Sequence, residues 1–177
     1  MNQHIPAIGH LDTRGHNLGE MEPKIREYAP GDANAFRQLN EEWITRYFAM
    51  EPKDVYALEH PEEAILKGGG RIFLSVRDGA PVGCCALVST GDGEFEVAKM
   101  AVTESAQGQG IGRKLLERVI AEARAGGANR LFLNTNTALA PAIRLYESVG
   151  FCHIPPERVA PSEYVRANVF MELLLEG

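Results

Sequence analysis

Glu94 to Arg113 reads EFEVAKMAVTESAQGQGIGR, and this stretch decides the fold. Its first nine residues alternate as a strand does, with the odd-numbered residues Phe95 to Ala101 on one face and the even-numbered residues Glu96 to Val102 on the other. Three glycines then recur at every second position, directly before a helix with apolar periodicity. The first N–H groups of a helix have no internal partner, and the helix dipole adds positive potential there. The stretch therefore predicts a strand, an anion-binding turn and a helix.

Two other glycine-rich phosphate motifs do not match this turn. A Walker loop requires G-x-x-x-x-G-K-[ST], but here Gly112 is followed by Arg113. A Rossmann fingerprint, G-x-G-x-x-G, requires its third glycine at the position of Arg113, and an acidic residue where this chain has Asn134-Thr135-Asn136. The sequence therefore predicts neither a P-loop NTPase nor a dinucleotide-binding fold.

The composition is typical of a globular chain. Its 177 residues suffice for one domain that buries about 70% of its unfolded surface. The net charge of -6 argues against a nucleic-acid binder. No apolar run approaches the roughly 20 residues that span a bilayer, no signal peptide is recognisable, and no metal-ligand spacing occurs. We therefore expect a cytoplasmic protein that binds neither nucleic acid nor a membrane nor a metal.

The rest of the chain predicts an α/β domain. Residues 1–22 are polar and aperiodic and are expected to form a flexible N-terminal arm, which leaves residues 23–177 as a single domain. Strands are expected at about 24–28, 71–77, 81–88, 94–102, 130–136, 151–154 and 165–175, and helices at about 33–47, 52–58, 61–67, 110–125 and 141–149. Residues 130–136 should run parallel to 94–102, because a helical crossover separates them.

Two features of residues 36–63 have more than one interpretation. An apolar stripe indicates core packing or, alternatively, one wall of a substrate site; it comprises Phe36, Leu39, Trp43, Ile44 and Tyr47. A run of carboxylates follows, comprising Glu51, Asp54, Glu59, Glu62 and Glu63. We expect this run to be a solvated face, although it could also attract a cationic amine.

Two blocks of the sequence resemble the GCN5-related N-acetyltransferase (GNAT) superfamily. Gln107-Gly108-Gln109-Gly110-Ile111-Gly112 matches its coenzyme A signature Q/R-x-x-G-x-G/A. Ala142 to Phe151, AIRLYESVGF, matches its block A-x-x-L-Y-x-x-x-G-F. The resemblance covers residues 23–176 and implies a mixed, mostly antiparallel sheet of six to seven strands with helices on both faces. In that fold the two central strands splay apart and admit the pantetheine arm of the cofactor.

The resemblance also implies an activity, which is acetyl transfer from acetyl-CoA to a primary amine of a small molecule or protein by direct attack in a ternary complex. The residues expected to hold acetyl-CoA are Met100, Ala101, Val102, Gln107, Gly108, Gln109, Gly110, Ile111, Gly112, Arg113 and Asn136. Many members carry an asparagine seven residues before the tyrosine of the second block, where this chain has Leu139. Asn134 or Asn136 could replace it.

Glu96 is the candidate general base and Tyr146 the candidate general acid. Glu96 lies eleven residues before Gln107, as does the general-base glutamate of histone-type members, and Glu94 is the nearest substitute. Tyr146 occupies the tyrosine position of the second block, from which the family protonates the coenzyme A thiolate. A base is needed because a lysine-type amine with a pKa near 10.4 is neutral in only about one molecule in a thousand at pH 7, which costs about 4.6 kcal/mol.

The sequence leaves other functions open. A non-catalytic acyl-CoA-binding or sensing module would keep the cofactor site without turnover. An acyltransferase could also use another acyl donor or a hydroxyl acceptor. In addition, the apolar final strand could pair with a second copy in a homodimer.

Overall fold

The computed structural model describes residues 22–175, so the expected arm at 1–22 lies outside the described residues except for Glu22. The strands in this range are β1 Lys24–Glu27, β2 Arg71–Arg77, β3 Ala80–Gly91, β4 Glu94–Val102, β5 Arg130–Thr135, β6 Cys152–His153 and β7 Val169–Leu174. The helices are α1 Ala33–Tyr47, α2 Pro52–Glu59, α3 Ile111–Ala125 and α4 Ala140–Ser148, with a short π-helical turn at Glu62–Leu66. None of the helices in residues 22–175 has the length and apolar character needed to cross a membrane.

The strands form one sheet in the order β1-β2-β3-β4-β5-β7-β6. β4 and β5 are parallel, and the other neighbours are antiparallel. α3 provides the crossover between β4 and β5, because a tight turn cannot join parallel strands. The prediction of a mixed, mostly antiparallel sheet is therefore confirmed. β7 lies between β5 and β6 and is not an edge strand, which removes the reason for expecting a homodimer through it.

Helices cover both faces of the sheet, as predicted. On one face, α3 buries an apolar stripe that includes Leu115 and Val119 against residues such as Phe73. On the other face, α1 packs Phe36 and Ile44 in a second core. The sheet is therefore covered by apolar side chains on both sides, and burial of this surface is the main stabilising contribution to the fold.

β4 and β5 separate partway along their length. Their pairing joins residues 94–96 to residues 130–132 and ends there. β4 nevertheless continues to Val102, and β5 continues to Thr135. Beyond Glu96, the edge of β4 that faces β5 therefore carries backbone N–H and C=O groups without a strand partner. The predicted splay between the two central strands is confirmed.

β4 also contains a bulge at Lys99. Ala98 pairs with Ala86 and Ala101 pairs with Cys84, so two residues of β4 lie opposite one residue of β3. Lys99 has a φ of 50°, in the left-handed region that a residue with a side chain rarely adopts. The strand therefore carries one extra residue at the point where it leaves β5.

The bulge changes which side chains share a face. Val97 packs in the core under α3, and beyond the bulge Met100 and Val102 pack there too. Ala101 joins the core under α1, and Lys99 reaches α2. The predicted faces of β4 are therefore wrong from Lys99 onward, because strict alternation does not allow for an inserted residue.

The final strand begins later than predicted. Residues 165–175 were expected to form it, but β7 begins at Val169. The backbone N–H groups of Val165 and Arg166 donate to the Glu51 carboxylate, at 2.9 and 3.2 Å, rather than to β5. A contact distant in sequence thus keeps this segment out of the sheet.

Gly70 lies where the chain enters β2, and its replacement should destabilise the protein. A Cβ at this position would lie 2.5 Å from the carbonyl oxygens of both Ile65 and Leu87, so two backbone segments would have to move. We expect Gly70→Ala to lower the free energy of unfolding by about 1–3 kcal/mol, measured by urea denaturation. Gly31→Ala is the control, since a Cβ there meets nothing within 4 Å. Equal stability of the two variants would contradict this packing.

Candidate active site

A cavity of about 550 Å³ opens where β4 and β5 separate. Its lining comes from β4 and β5, from the glycine turn and α4, and from α1, α2 and the segment before β7. It includes Glu96, Tyr146 and all but one of the residues expected to hold acetyl-CoA. The exception is Gln109, whose side chain accepts a hydrogen bond from Arg77 at 2.5 Å and donates to the Ser105 carbonyl at 3.3 Å.

The glycine turn presents backbone amides to this cavity. Gly108 and Gly110 have φ values of 76° and 77°, which glycine adopts without steric cost. The Lys114 N–H donates to the Gly110 carbonyl at 3.1 Å. The amides of residues 111–113 come before this bond and have no acceptor within the helix. The turn thus has the geometry of an anion site at the N-terminus of a fifteen-residue helix.

Gly112 serves close packing rather than backbone geometry. A Cβ there would lie 3.0 Å from Leu145 Cδ2 and 3.1 Å from Met100 Cε. The missing side chain lets the first turn of α3 approach both α4 and β4. Gly108 and Gly110 are therefore needed for their backbone conformation, and Gly112 is needed for close packing.

The polar side chains beside the turn bond mainly to the protein. Gln107 donates to the Val102 carbonyl at 3.0 Å, which ties the turn to the end of β4. Arg113 donates to the Ser148 hydroxyl at 2.7 Å, which ties α3 to α4. These bonds hold the turn in position. Its backbone amides remain available to a phosphate, as do the N–H groups of Arg113 that neither Ser148 nor Glu117 engages.

Leu139 lines the cavity at the position where the resemblance leads one to expect asparagine. Asn136 lines it as well, but its side chain accepts from the Ala138 N–H at 2.8 Å and donates to the Arg166 carbonyl at 2.6 Å. Asn134 donates to Glu96 at 3.3 Å. Both candidate replacements are thus engaged with protein groups, and Asn136 positions the segment that carries Arg166.

Tyr146 lies on α4, partly buried, and its ring meets Phe151 edge-on at 6.1 Å between centroids. Its hydroxyl forms no hydrogen bond with any residue in the range 22–175 that the structure describes. Burial raises the pKa of the phenol above its usual value. The hydroxyl therefore keeps its proton at neutral pH and can donate it into the cavity in a hydrogen bond.

Glu96 is a buried carboxyl group, with 6% of its surface exposed. Burial raises its pKa above the usual value, and the charges of Lys53 and Lys99 offset part of that shift. The nearest cation is Lys53, whose Nζ lies 3.8 Å from Oε2. Glu94, the alternative base, pairs with Arg130 at 2.9 Å and does not line the cavity.

Asp54 forms the centre of a buried ionic cluster, which corrects the expectation of a solvated acidic face. Its side chain is fully buried and contacts Lys99 at 2.7 Å and Arg166 at 2.6 and 2.9 Å. Glu51 also pairs with Arg166, at 3.2 Å. The expectation is wrong for Glu51 and Asp54, whereas the remaining carboxylates of the run, Glu59, Glu62 and Glu63, are exposed.

Sequence reasoning missed Lys99, Tyr164 and Arg166 as residues of this site, although all three line the cavity. Lys99 was expected on the apolar face of β4 and Arg166 in the final strand, whereas Tyr164 was assigned to no element. The available signal was a lysine within an otherwise apolar half-strand, which requires a buried partner. The partner, Asp54, is 45 residues away in sequence.

Part of the apolar stripe of α1 packs in the core, and part of it forms a wall of the cavity. Phe36, Leu39 and Ile44 are buried in the core. Trp43 and Tyr47 instead line the cavity, together with the adjacent Phe48. The aromatic end of α1 is therefore part of the site.

Comparison with known proteins identifies the family. Residues 36–151, more than half of the chain, match the model of the Acetyltransferase (GNAT) family. An IAA acetyltransferase of Azospirillum brasilense is 38% identical over 128 residues, which cover 70% of this chain and 80% of that protein. Both matches extend well beyond the two motif blocks.

Solved structures agree with this assignment. A GNAT-family acetyltransferase of Staphylococcus aureus Mu50 superposes with a TM-score of 0.80 at 21% identity, over 87% of this chain and 99% of that one. The yncA protein of Salmonella typhimurium, solved with its cofactor acetyl-CoA, gives a TM-score of 0.70 at 25% identity, over 88% and 95% of the two chains. With the splayed strands, the glycine turn and the sequence matches, these likenesses show that the chain belongs to the GNAT family of acetyl-CoA-dependent N-acetyltransferases.

Proposed function

We propose that this chain acetylates a primary amine by direct attack on the thioester in a ternary complex, with Glu96 as the general base and Tyr146 as the hydrogen-bond donor to the leaving sulfur. The observation that carries the proposal is that both side chains line the same cavity as the glycine turn and the unpaired edge of β4. The base, the acid and the groups expected to bind the cofactor therefore all border one cavity.

The diphosphate of acetyl-CoA would lie against the amides of Gly108 to Arg113, where the helix dipole favours negative charge. The pantetheine amides would bond to the backbone of Met100, Ala101 and Val102, which β5 leaves unpaired. These contacts are mostly made by main-chain groups. Substitution of Gln107 should therefore loosen the turn rather than remove its anion contacts, whereas substitution of Arg113 would also remove a cation that lines the cavity.

Glu96 would remove a proton from the incoming ammonium, directly or through one water. A carboxylate with an ordinary pKa is a weak base, and burial makes Glu96 a stronger one by raising its pKa. The neutral amine then attacks the carbonyl carbon. A C–N bond forms, and the C–S bond breaks as the tetrahedral intermediate collapses.

Tyr146 would stabilise the sulfur as it leaves. Because burial raises the pKa of the phenol, full proton transfer to a thiolate is unfavourable, and donation of a hydrogen bond is its main contribution. After attack the nitrogen loses a second proton, which neutralises the coenzyme A thiolate. The products are therefore the N-acetylated amine, coenzyme A thiol and the one proton taken by Glu96.

Thiol release from acetyl-CoA, followed across a panel of amines, tests this proposal. Turnover with an amine and none with the matching alcohol is the expected result. Coenzyme A binding without turnover of any amine would favour a non-catalytic sensing module. Faster release from a longer acyl thioester would instead favour another donor.

Tyr146→Phe isolates the role of the hydroxyl. A hydrogen bond to a charged group contributes about 1.5–3 kcal/mol, so we expect kcat to fall roughly 10- to 150-fold. The coenzyme A dissociation constant, measured by calorimetry, should stay close to the wild-type value. Tyr56→Phe is the control, because Tyr56 is 48% exposed on α2 and does not line this cavity. Unchanged turnover in Tyr146→Phe would rule out this role.

A further inference from the structure

The ionic cluster around Asp54 draws its members from three separate segments of the chain. Asp54 lies on α2, Lys99 at the bulge of β4, and Tyr164 and Arg166 in the segment before β7. The Lys99 ammonium donates to Asp54 Oδ1 at 2.7 Å and to the Tyr164 hydroxyl at 2.9 Å. Arg166 binds both carboxylate oxygens of Asp54, at 2.6 and 2.9 Å.

The carboxylates of this cluster are fully engaged with donors of the protein. Asp54 accepts the three bonds from Lys99 and Arg166 and a fourth from the Glu51 N–H at 3.1 Å. Glu51 accepts from the Val165 N–H and from the backbone and guanidinium of Arg166. Neither carboxylate therefore has much capacity left to hold a cationic ligand.

The donors of the cluster are not used up. An ammonium has three N–H groups and a guanidinium five. The hydrogen bonds among residues 22–175 engage two of these on Lys99 and three on Arg166. Tyr164 accepts from Lys99, which leaves its own O–H free to donate. All three residues line the cavity, so a ligand there lies beside the side chains that carry the unused donors.

Hydrogen bonding rather than net charge favours an anion here. Lys99 and Arg166 share the fully buried carboxylate of Asp54, and Arg166 also pairs with Glu51 at 3.2 Å, so the four groups together carry no formal net charge. Both carboxylates are occupied by donors, whereas Lys99 and Arg166 keep N–H groups that only an acceptor can use. Lys53 pairs with the exposed Glu163 and lies 3.8 Å from Glu96.

Arg166 is held in a fixed orientation before any ligand binds. Its guanidinium carbon lies 4.7 Å from the ring centroid of Tyr164 and 5.8 Å from that of Phe48. Together with the bidentate contact to Asp54, these rings fix the plane of the Arg166 guanidinium. An immobilised guanidinium loses little further entropy when it binds a carboxylate, which raises affinity and selectivity.

The bulge explains why cations and the base share one cavity. Residues three apart on a regular strand lie on opposite faces, and Glu96 and Lys99 are three apart. The extra residue at Lys99 removes this separation, so both side chains lie on the side of the sheet that faces α2, where Lys53 lies near Glu96 and Asp54 contacts Lys99. A left-handed lysine in a buried strand is strained, and such strain is typical of functional sites.

We infer that the acceptor is an amine that carries a carboxylate close to its amino group, as a free α-amino acid does. Lys99, Tyr164 and Arg166 bind the carboxylate, and the amine lies toward Glu96. This inference rests on the proposed function, because the role of Glu96 as base determines where the amine lies. A polyamine or a lysine side chain would offer these cations no anion.

Matched pairs of acceptors test the inference on the wild-type protein. Each proteinogenic α-amino acid is compared with its α-carboxamide by thiol release from acetyl-CoA. We expect kcat/KM to be about 10- to 100-fold higher for the acid of at least one pair. The amide has the less basic amine, so chemistry alone would favour the amide. Equal or better turnover of the amides, or of simple amines, would overturn the inference and leave the proposed function intact.

Binding distinguishes failure of the inference from failure of the proposed function. If no amine is turned over, the proposed function is contradicted, and the same amino acids are titrated calorimetrically into the protein with coenzyme A bound. Binding of an acid at least about tenfold tighter than its amide would still support the carboxylate site. Absence of that preference would overturn the site as well.

Arg166→Gln tests whether Arg166 binds the carboxylate of the acceptor. We expect KM for the acid to rise about tenfold or more, with the value for the amide unchanged, so that the acid-to-amide ratio falls. Arg166→Lys should restore part of the ratio. Arg158→Gln is the matched control, because Arg158 is exposed, pairs with Glu172 and lies outside the cavity. An equal loss for acid and amide would show a merely structural role for Arg166 and overturn its assignment.

Discussion

Replacing Glu96 with glutamine is expected to lower kcat/KM by about 10²- to 10⁴-fold, the usual contribution of a general base. The amide is close in shape to the carboxyl group and its oxygen can keep the hydrogen bond from Asn134, so the cavity should retain its form. Coenzyme A affinity should not change. Thiol-release kinetics and calorimetry on the same preparation measure the two quantities.

The same substitution should raise stability at neutral pH. Burial raises the pKa of Glu96 in the folded protein, so folding favours the protonated form. That stabilisation is fully present below the unfolded pKa, near 4.3, and is lost as pH rises through the folded value. At pH 7 ionised Glu96 therefore reduces the free energy of unfolding, and glutamine removes the penalty. Urea denaturation at pH 7 should show Glu96→Gln to be the more stable protein.

The pH dependence of turnover provides a second readout. Wild-type kcat/KM should fall as pH is lowered through the raised pKa of Glu96, because the protonated carboxyl group cannot accept a proton. The variant should lack this limb of the profile. Glu94→Gln is the control, since Glu94 pairs with Arg130 and lies outside the cavity. A wild-type rate and profile in Glu96→Gln would exclude Glu96 as the base.

The opposite signs of these two effects indicate what kind of residue Glu96 is. A carboxylate placed only for stability would lose stability on replacement. A buried carboxyl group whose replacement raises stability but lowers turnover would instead be a functional group whose burial the rest of the fold must offset.

The elements that local sequence specifies were predicted correctly. Gly108 and Gly110 adopt positive φ values that favour glycine, and the six residues of the motif alone indicate this conformation. The crossover of α3 makes β4 and β5 parallel, and the apolar periodicity of α3 determines its buried face. Each of these features depends on neighbours within one helix or one turn.

The features that were missed depend on contacts between distant segments. Lys99 reads as one position in an alternating strand, and nothing nearby in sequence indicates a bulge there. The sequence of residues 165–168 predicts a β-strand, but the N–H groups of Val165 and Arg166 donate to the Glu51 carboxylate and not to β5. Asp54 reads as one of several surface carboxylates until Lys99 and Arg166 are placed beside it. The acceptor end of the site therefore could not be assembled from the sequence.

Asp54→Ala is expected to destabilise the protein by about 3–5 kcal/mol, because removal of one partner leaves buried charges uncompensated. Burial alone would raise the pKa of Asp54, but the hydrogen bonds of Arg166 and the charge of Lys99 outweigh it and lower the pKa. The stabilisation from Asp54 is therefore present above its unfolded pKa and is lost as pH falls through the folded value. Glu104→Ala, which removes an exposed partner of Arg46, should have no measurable effect.

A double-mutant cycle with Lys99→Met separates loss of a charge partner from loss of packing. In the Asp54→Ala background, Lys99 has lost its carboxylate partner whereas Arg166 still pairs with Glu51, so Lys99→Met removes the uncompensated cation and fills the same space with an apolar chain. The double variant should therefore be less destabilised than the sum of the single variants, by about 0.5–3 kcal/mol. Urea denaturation of the four proteins at pH 7 gives the coupling. Strict additivity would mean that Asp54 and Lys99 do not interact energetically, and Asp54 would then not be the centre of the cluster.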